Sequence, residues 1–196
     1  CWASPAACEK DSLKAHWPLI MDKQSAQQLI VEIPDYPKPG VVFKDLTPLF
    51  ANHDAMTYVI DAVRDKFAAR GITKIAGIEA RGFMFGSALA HAMGLGFVPI
   101  RKKGKLPRAT YRAEYALEYG TDAVEIHQDA LVQSDQVLLI DDVLATGGTA
   151  SAAASLIEQC GASIVGLAVL LNLDFLGGSV RFKNAFPDTE IFTVFS

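Results

Sequence analysis

No apolar run in this chain reaches the roughly 20 residues that a membrane-spanning helix needs. Cysteine is scarce: Cys1, Cys8 and Cys160 are the only three, and their spacing suits no metal cluster. An odd count without other secretory marks predicts a reducing, cytoplasmic setting. An excess of basic charge is also missing. Eighteen Lys and Arg face 22 Asp and Glu, for a net charge of −4 and a pI near 5.5. That argues against a dedicated nucleic-acid binder, although it leaves room for local basic patches. Internal repeats and low-complexity tracts are absent. What is present is globular: 51% apolar and 20% charged residues over 196 positions, enough for one sizeable α/β core without a second domain. Residues 1–20 differ from the rest. They hold both tryptophans and two of the three cysteines, show no clear period, and lack the long apolar core of a signal peptide. A natural extension, a processed leader or a remnant all fit them. The single domain is therefore expected over 21–196.

The stretch Val137-Leu138-Leu139-Ile140-Asp141-Asp142-Val143-Leu144-Ala145-Thr146-Gly147-Gly148-Thr149-Ala150 organises the chain. An apolar run suits a strand buried on both faces of a parallel sheet, and Ala150 to Cys160 reads as the helix after it. Asp141 and Asp142 then lie at the carboxyl end of the strand, where open α/β sheets bind ligands. Ala145, Thr146, Gly147, Gly148 and Thr149 form a loop whose amides and helix dipole favour an anion. Carboxylates would repel that anion, so they need hydroxyls or a metal beside it. A ribose 5-phosphate supplies both a phosphate and a cis-diol. The loop differs from a Walker A loop, because no Lys follows its glycines.

The remaining chain predicts a β-α-β-α alternation. Asp22 to Glu32 reads as a short helix, and the three prolines of 34–39 make an extended or turning segment. Asn52 or Asp54 can cap a helix running to Arg70, with Met56, Val59, Ile60, Val63 and Phe67 on one face and Gly71 at its end. Lys74 to Ile78 is a short buried strand. Glu79-Ala80-Arg81-Gly82-Phe83 follows as a second strand end, leading into a helix to Met93 and Gly94. Arg81 is a cation suited to bidentate phosphate binding. Phe97 to Ile100 is the next strand, and it runs into Arg101-Lys102-Lys103-Gly104-Lys105, four cations in five residues. Ser163 to Leu171 reads as a central strand, Gly177-Gly178 as a break, and Ile191 to Phe195 as a last strand. These repeats predict a mostly parallel sheet with helices on both faces. Between them, residues 111–119 alternate with period two and predict a β-ribbon with Asp122 to Gln128. An inserted ribbon over about 106–128, beside a ligand site, is either a mobile lid or a rigid edge hairpin.

The string from Val137 to Ala150 resembles the 5-phosphoribosyl pyrophosphate (PRPP) signature of the type I phosphoribosyltransferases. Four other blocks resemble the adenine phosphoribosyltransferase family, in that family's order. They are Asp35 to Asp45, Glu79 to Gly86, Arg101 to Pro107, and Leu117-Glu118-Tyr119-Gly120. The resemblance covers about Ile33 to Phe195. Lys44 and Lys103 stand where some members carry Arg.

That resemblance implies transfer of the phosphoribosyl group from PRPP to adenine, giving AMP and pyrophosphate, with Mg2+ held mainly through PRPP rather than by a protein cage. It assigns Asp141 and Asp142 to the ribose hydroxyls, and residues 145–149 to the 5-phosphate. Arg81, Arg101, Lys102 and Lys105 are assigned to the pyrophosphate, with the basic segment in some relatives coming from a neighbouring subunit of a homodimer. Val42, Phe43 and Lys44 would form the adenine site, with the backbone at Val42 and Lys44 reading the amino group and the adjacent ring nitrogen. Glu118 would act as general acid/base. A cis Glu79-Ala80 peptide is implied by the same analogy. A phosphoribosyltransferase for hypoxanthine, guanine, xanthine or orotate would share residues 137–150 but not the block from Asp35. A PRPP-sensing regulator that binds nucleic acid would need a basic face or a helix-turn-helix, and residues 1–32 offer neither. No nucleic-acid or membrane partner is expected.

Overall fold

The computed structural model describes residues 21–116 and 120–195. Its elements in chain order begin with α1 (Lys23–Gln27), β1 (Val31–Ile33), β2 (Phe43–Asp45), α2 (Thr47–Ala51) and α3 (His53–Phe67). Then come β3 (Lys74–Ile78), α4 (Arg81–Met93), β4 (Gly96–Lys102), β5 (Thr110–Ala116) and β6 (Thr121–His127). The chain ends with β7 (Gln136–Leu144), α5 (Gly148–Gln159), β8 (Ser163–Asn172), a 3-10 turn (Asp174–Leu176), α6 (Gly178–Ala185) and β9 (Glu190–Phe195). Among the described residues, no helix is long and apolar enough to cross a membrane.

Seven strands form one sheet in the order β5-β6-β4-β3-β7-β8-β9, and β1 and β2 pair separately as an antiparallel ribbon. The strands from β4 through β9 on that list run parallel to their neighbours. β6 joins β4 antiparallel, through Arg101↔Glu125 and Lys102↔Val124. Burial explains the arrangement. Val137, Leu138, Leu139 and Ile140 are all fully buried, as a strand covered on both faces requires. Leu139 packs into a core with Leu156 and Ile157 of α5 and Phe182 of α6. Leu138 and Ile140 pack into a second core with Val59, Val63 and Phe67 of α3 and Phe85 and Leu89 of α4. Alternating side chains thus feed two cores on opposite faces. The expected α/β sheet with helices on both faces is present.

Local chemistry sets several boundaries. Asn52 caps α3 by accepting the Ala55 amide at 3.0 Å. The buried stripe Ala55, Val59, Val63, Phe67 then repeats every four residues. The helix ends at Phe67, short of the expected Arg70, and the left-handed Gly71 lies beyond it. Gly94 adopts φ +67° as the left-handed cap of α4, where a side chain would be strained. The segment expected as one helix from Asp22 to Glu32 divides instead. Asp22 caps the short α1, and Val31–Ile33 is drawn into pairing with Phe43–Asp45. That pairing spans twelve residues and leaves no local period to read.

The expected ribbon is the β5–β6 hairpin, paired from Thr110↔His127 to Ala116↔Thr121. Its strands are built into the sheet. Tyr115, Val124 and Ile126 are buried in the same core as α5. Leu117, Glu118 and Tyr119 lie outside the described residues.

Candidate active site

The order of the parallel strands creates the site. From β3 the chain crosses to β4 on one side, and later places β7 on the other side of β3. The crossovers diverge there, so a crevice opens beyond the carboxyl ends of β3 and β7. The end of β3 delivers Glu79, Ala80 and Arg81, and the end of β7 delivers Asp141, Asp142 and the loop at 145–147. Gly82 permits the close approach of the two. A Cβ there would meet the Ile140 carbonyl oxygen at 2.9 Å and Asp141 Oδ1 at 3.3 Å. The Glu79-Ala80 peptide is cis, as is Tyr36-Pro37.

A cavity of about 350 Å³ fills the crevice. Asp141, Asp142, Arg81, Lys102, Ala145 and Thr149 line its polar side, and Val42, Phe43 and Leu173 are among its apolar walls. A second cavity of about 70 Å³ adjoins it, lined by Asp141 and the whole loop from Ala145 to Thr149. Gly147, at φ +76°, turns the chain so that α5 starts at Gly148. The first amides of α5 have no partner within the helix and suit an anion.

The acid pair is held under tension. Burial pushes the Asp141 carboxyl well above the ordinary carboxylate range, and the neighbouring Asp142 charge pushes it further. Burial also raises Asp142, with the Arg81 guanidinium opposing the rise. Arg81 Nε lies 2.8 Å from Asp142 Oδ2. That oxygen is nevertheless buried without an aligned hydrogen-bond donor, so the contact is an ion pair that leaves lone-pair capacity unused. Among the described residues, Asp141 Oδ1 accepts the adjacent Asp142 amide at 3.0 Å. A ligand offering hydroxyl donors would satisfy both acids.

The proline-rich block builds the opposite wall. Asp35, in the left-handed region at φ 57°, accepts the Gly40 amide at 2.7 Å, and Tyr36 N–H donates to the Val41 carbonyl at 3.1 Å. This knitted turn presents Val42 and Phe43. Tyr36 meets Phe43 edge-on at 5.3 Å, and the Arg81 guanidinium lies 5.6 Å from the same ring. Val42 stays 48% exposed, so the apolar wall faces open space that a flat ring could cover.

Most of the expected site residues meet here. Val42, Phe43, Lys44, Arg81, Lys102, Asp141, Asp142, Ala145 and Thr149 line the larger cavity, and Thr146, Gly147 and Gly148 complete the smaller one. Lys44 is bonded to Glu32 across the β1–β2 ribbon. Lys102 is bonded to Asp122 and Tyr115 of the hairpin. Burial works against the Lys102 ammonium, but these two partners keep its pKa above the usual lysine value. Arg101 and Lys105 do not line either cavity. Arg101 instead donates from Nε and from a terminal nitrogen to Glu79, both at 3.2 Å. That hydrogen bonding holds the Glu79 carboxyl below its ordinary value. Glu118 lies outside the described residues. Sequence reasoning missed Glu79 as the partner of Arg101, and Leu173 as a wall. Leu173 follows a strand 31 residues after Asp142, and nothing local marks it.

Among the described residues no cluster of three or more His, Cys, Asp or Glu is assembled as a metal cage. The donors on hand are hard carboxylate oxygens with an unsatisfied acceptor, which fit magnesium that is bound chiefly by substrate phosphate oxygens and water.

Comparison with known proteins agrees with this geometry. The phosphoribosyl transferase domain model matches residues 49–194. An adenine phosphoribosyltransferase from Nocardioides is 51% identical over 173 residues, covering 86% of this chain and 93% of the relative. The structure of adenine phosphoribosyltransferase from Thermoanaerobacter pseudethanolicus superposes with a TM-score of 0.83 at 42% identity, covering 89% of this chain and 99% of the other. The Saccharomyces cerevisiae enzyme, complexed with an imino-altritol bisphosphate and adenine, gives a TM-score of 0.81 at 38% identity, over 88% of this chain and 97% of that one. With about half of its residues identical to such a relative over most of both chains, and with a fold that superposes on theirs, the chain belongs to the adenine phosphoribosyltransferase family.

Proposed function

We propose that this chain is a purine salvage enzyme that transfers the 5-phosphoribosyl group of PRPP to adenine, releasing AMP and pyrophosphate. One observation carries the reading. A single crevice joins a glycine loop that opens a helix, an acid pair with a buried Asp142 oxygen left without a hydrogen-bond donor, and an apolar slot beside Phe43. Those are complements of a 5-phosphate, a ribose diol and a flat base. The yeast relative, which binds adenine together with a phosphorylated imino sugar, supports the same assignment.

In this reading residues 145–149 hold the 5-phosphate, and Asp141 and Asp142 accept the ribose hydroxyls. Their charge favours the cation that develops at the anomeric carbon. The bond from that carbon to the pyrophosphate oxygen breaks, and pyrophosphate leaves with the electron pair. Arg81 and Lys102 stabilise it. Adenine attacks from the Phe43 slot, forming the carbon–nitrogen bond, and Glu118 takes the ring proton it loses. Magnesium, held mainly through PRPP, would neutralise the leaving group's charge. Residues 21–196 act as one catalytic domain. Closure over the substrates is assigned to the inserted ribbon of about 106–128. Polar phosphorylated substrates of the cell interior support a cytoplasmic location.

An assay of PRPP and magnesium with each free base in turn tests this function. Adenine is expected to turn over at least 100-fold faster than hypoxanthine or guanine, since a site built to hydrogen-bond an amino group leaves polar groups unpaired against an oxo-purine. EDTA is expected to abolish turnover. Equal rates with an oxo-purine would remove the adenine assignment.

A homodimer is the second part of the proposal. Arg101 and Lys105 carry charge suited to pyrophosphate yet line neither cavity of their own chain, which supports a role in a neighbour's site. Sedimentation at micromolar concentration is expected to give a dimer. A monomer that retains full specific activity on dilution contradicts it.

A further inference from the structure

The phosphate loop does not stand alone. Its Gly147 and the Gly178 that opens α6 lie backbone against backbone, although they are 31 residues apart in sequence. A Cβ on Gly147 would meet the Gly178 carbonyl oxygen at 2.5 Å. A Cβ on Gly178 would meet the Gly147 nitrogen and the Ala145 carbonyl carbon at 2.9 Å, and would overlap the Ala145 carbonyl oxygen outright. Every one of these struck atoms is backbone, so no side chain can swing aside. Real Cβ atoms do not approach that closely, so the loop would have to move.

Its neighbour Gly177 is different. It sits at φ +68° but has open space where a Cβ would be. Its need for glycine is conformational, through the left-handed turn that starts α6. Gly178 has no such φ requirement, so its need for glycine is contact alone. The paired glycines that break the strand pattern after β8 therefore do two separate jobs.

We propose that Gly178 is a positioning residue for the phosphate loop: its missing side chain lets the start of α6 buttress the Ala145 carbonyl and the Gly147 amide, and so fixes the loop's grip on the phosphate of PRPP and AMP. Gly178 lines neither cavity. It acts through Ala145, which lines both. A phosphate held by aligned amides demands that they converge on one point, and a displacement of 1 Å can cost up to about 100-fold. The inference rests on the reading that residues 145–149 hold the 5-phosphate.

The test is a ligand split in the full chain. Gly178→Ala is expected to raise KM for PRPP and Kd for AMP at least tenfold, while Kd for adenosine, which lacks the phosphate, changes less than twofold. Gly177→Ala is expected to lower Tm through its strained φ and leave both KM and that split unmoved. Thr149→Ala, inside the loop, reports on the underlying reading: if it does not weaken PRPP, the loop assignment fails. If Thr149→Ala weakens PRPP and Gly178→Ala does not, only the buttress is overturned. Equal KM increases in the Gly177 and Gly178 variants would also overturn it, by showing that any damage to α6 suffices. Hydrogen exchange in the unmodified protein needs no variant to fold. AMP is expected to slow exchange at 178–182 as well as at 145–151, and adenosine to leave 178–182 unchanged. Protection confined to the loop, or the same protection with adenosine, sinks the proposal.

Discussion

Replacing Asp141 and Asp142 together with asparagine is expected to reduce turnover of PRPP by at least 1,000-fold and, at neutral pH, to raise the melting temperature. Both effects come from the same burial. On the proposed mechanism the activity loss follows because the pair would supply the negative charge beside the anomeric carbon, and removing one preorganised electrostatic partner commonly costs 100- to 1,000-fold. The stability gain follows from linkage. Burial, and for Asp141 the charge of its neighbour, raise both carboxyls above their ordinary values in the folded chain. Between the unfolded value, near 4, and the raised folded values, the folded chain holds protons that the unfolded chain releases. Stability therefore falls as pH rises through that window, and the loss is complete above it. Asparagine has no charge to desolvate. It also keeps the Oδ1 that accepts the Asp142 amide at 3.0 Å. The expected gain is on the order of 1 kcal/mol, or roughly 2–4 °C for a chain of this size. Loss of the ion pair that Asp142 makes with Arg81 at 2.8 Å sets a limit to it. Melting curves from pH 4 to pH 8 check the sign. The variant and the parent should coincide near pH 4 and diverge upward. A variant less stable at pH 8 than at pH 4, relative to the parent, would mean that the acids stabilise the fold. Unchanged turnover would take both acids out of the mechanism.

Glu118→Gln carries the second large expectation, a fall of 100- to 10,000-fold in the chemical step with adenine affinity kept. The amide preserves shape and hydrogen bonding but takes no proton, and a positioned general base contributes about that factor. Proton removal is needed when the attacking ring nitrogen bonds to carbon. If Glu118 does this, pre-steady-state turnover should slow in the variant while Kd for adenine stays within about twofold. Loss of a general base should also alter the pH–rate profile, and the variant should lose the acidic limb. An unaltered chemical rate takes Glu118 out of the mechanism.

The same contrast between near and distant signals runs through the fold. The run Val137 to Ile140 announces a strand because four consecutive apolar residues need cover on both faces, and all four are buried. The α3 stripe announces itself through its four-residue repeat and the Asn52 cap. The turn from Ala145 to Thr149 is legible because paired glycines between an apolar strand and an apolar helix mark a strand-to-helix turn, and α5 starts at Gly148. The β-α units, and the strand end and glycine turn that line the cavities, are thus written in local sequence. It did not determine what lies beside them. The split of the segment from Asp22 to Glu32, the partnership of Glu79 with Arg101, and the wall at Leu173 depend on pairing between strands whose order is not written locally. The close contact of Gly178 with Ala145 and Gly147 is of that kind as well. Only the tertiary structure sets β7 against β3 and opens the crevice between them, because strand order is chosen by how two cores are covered at once and not by any single segment's preference.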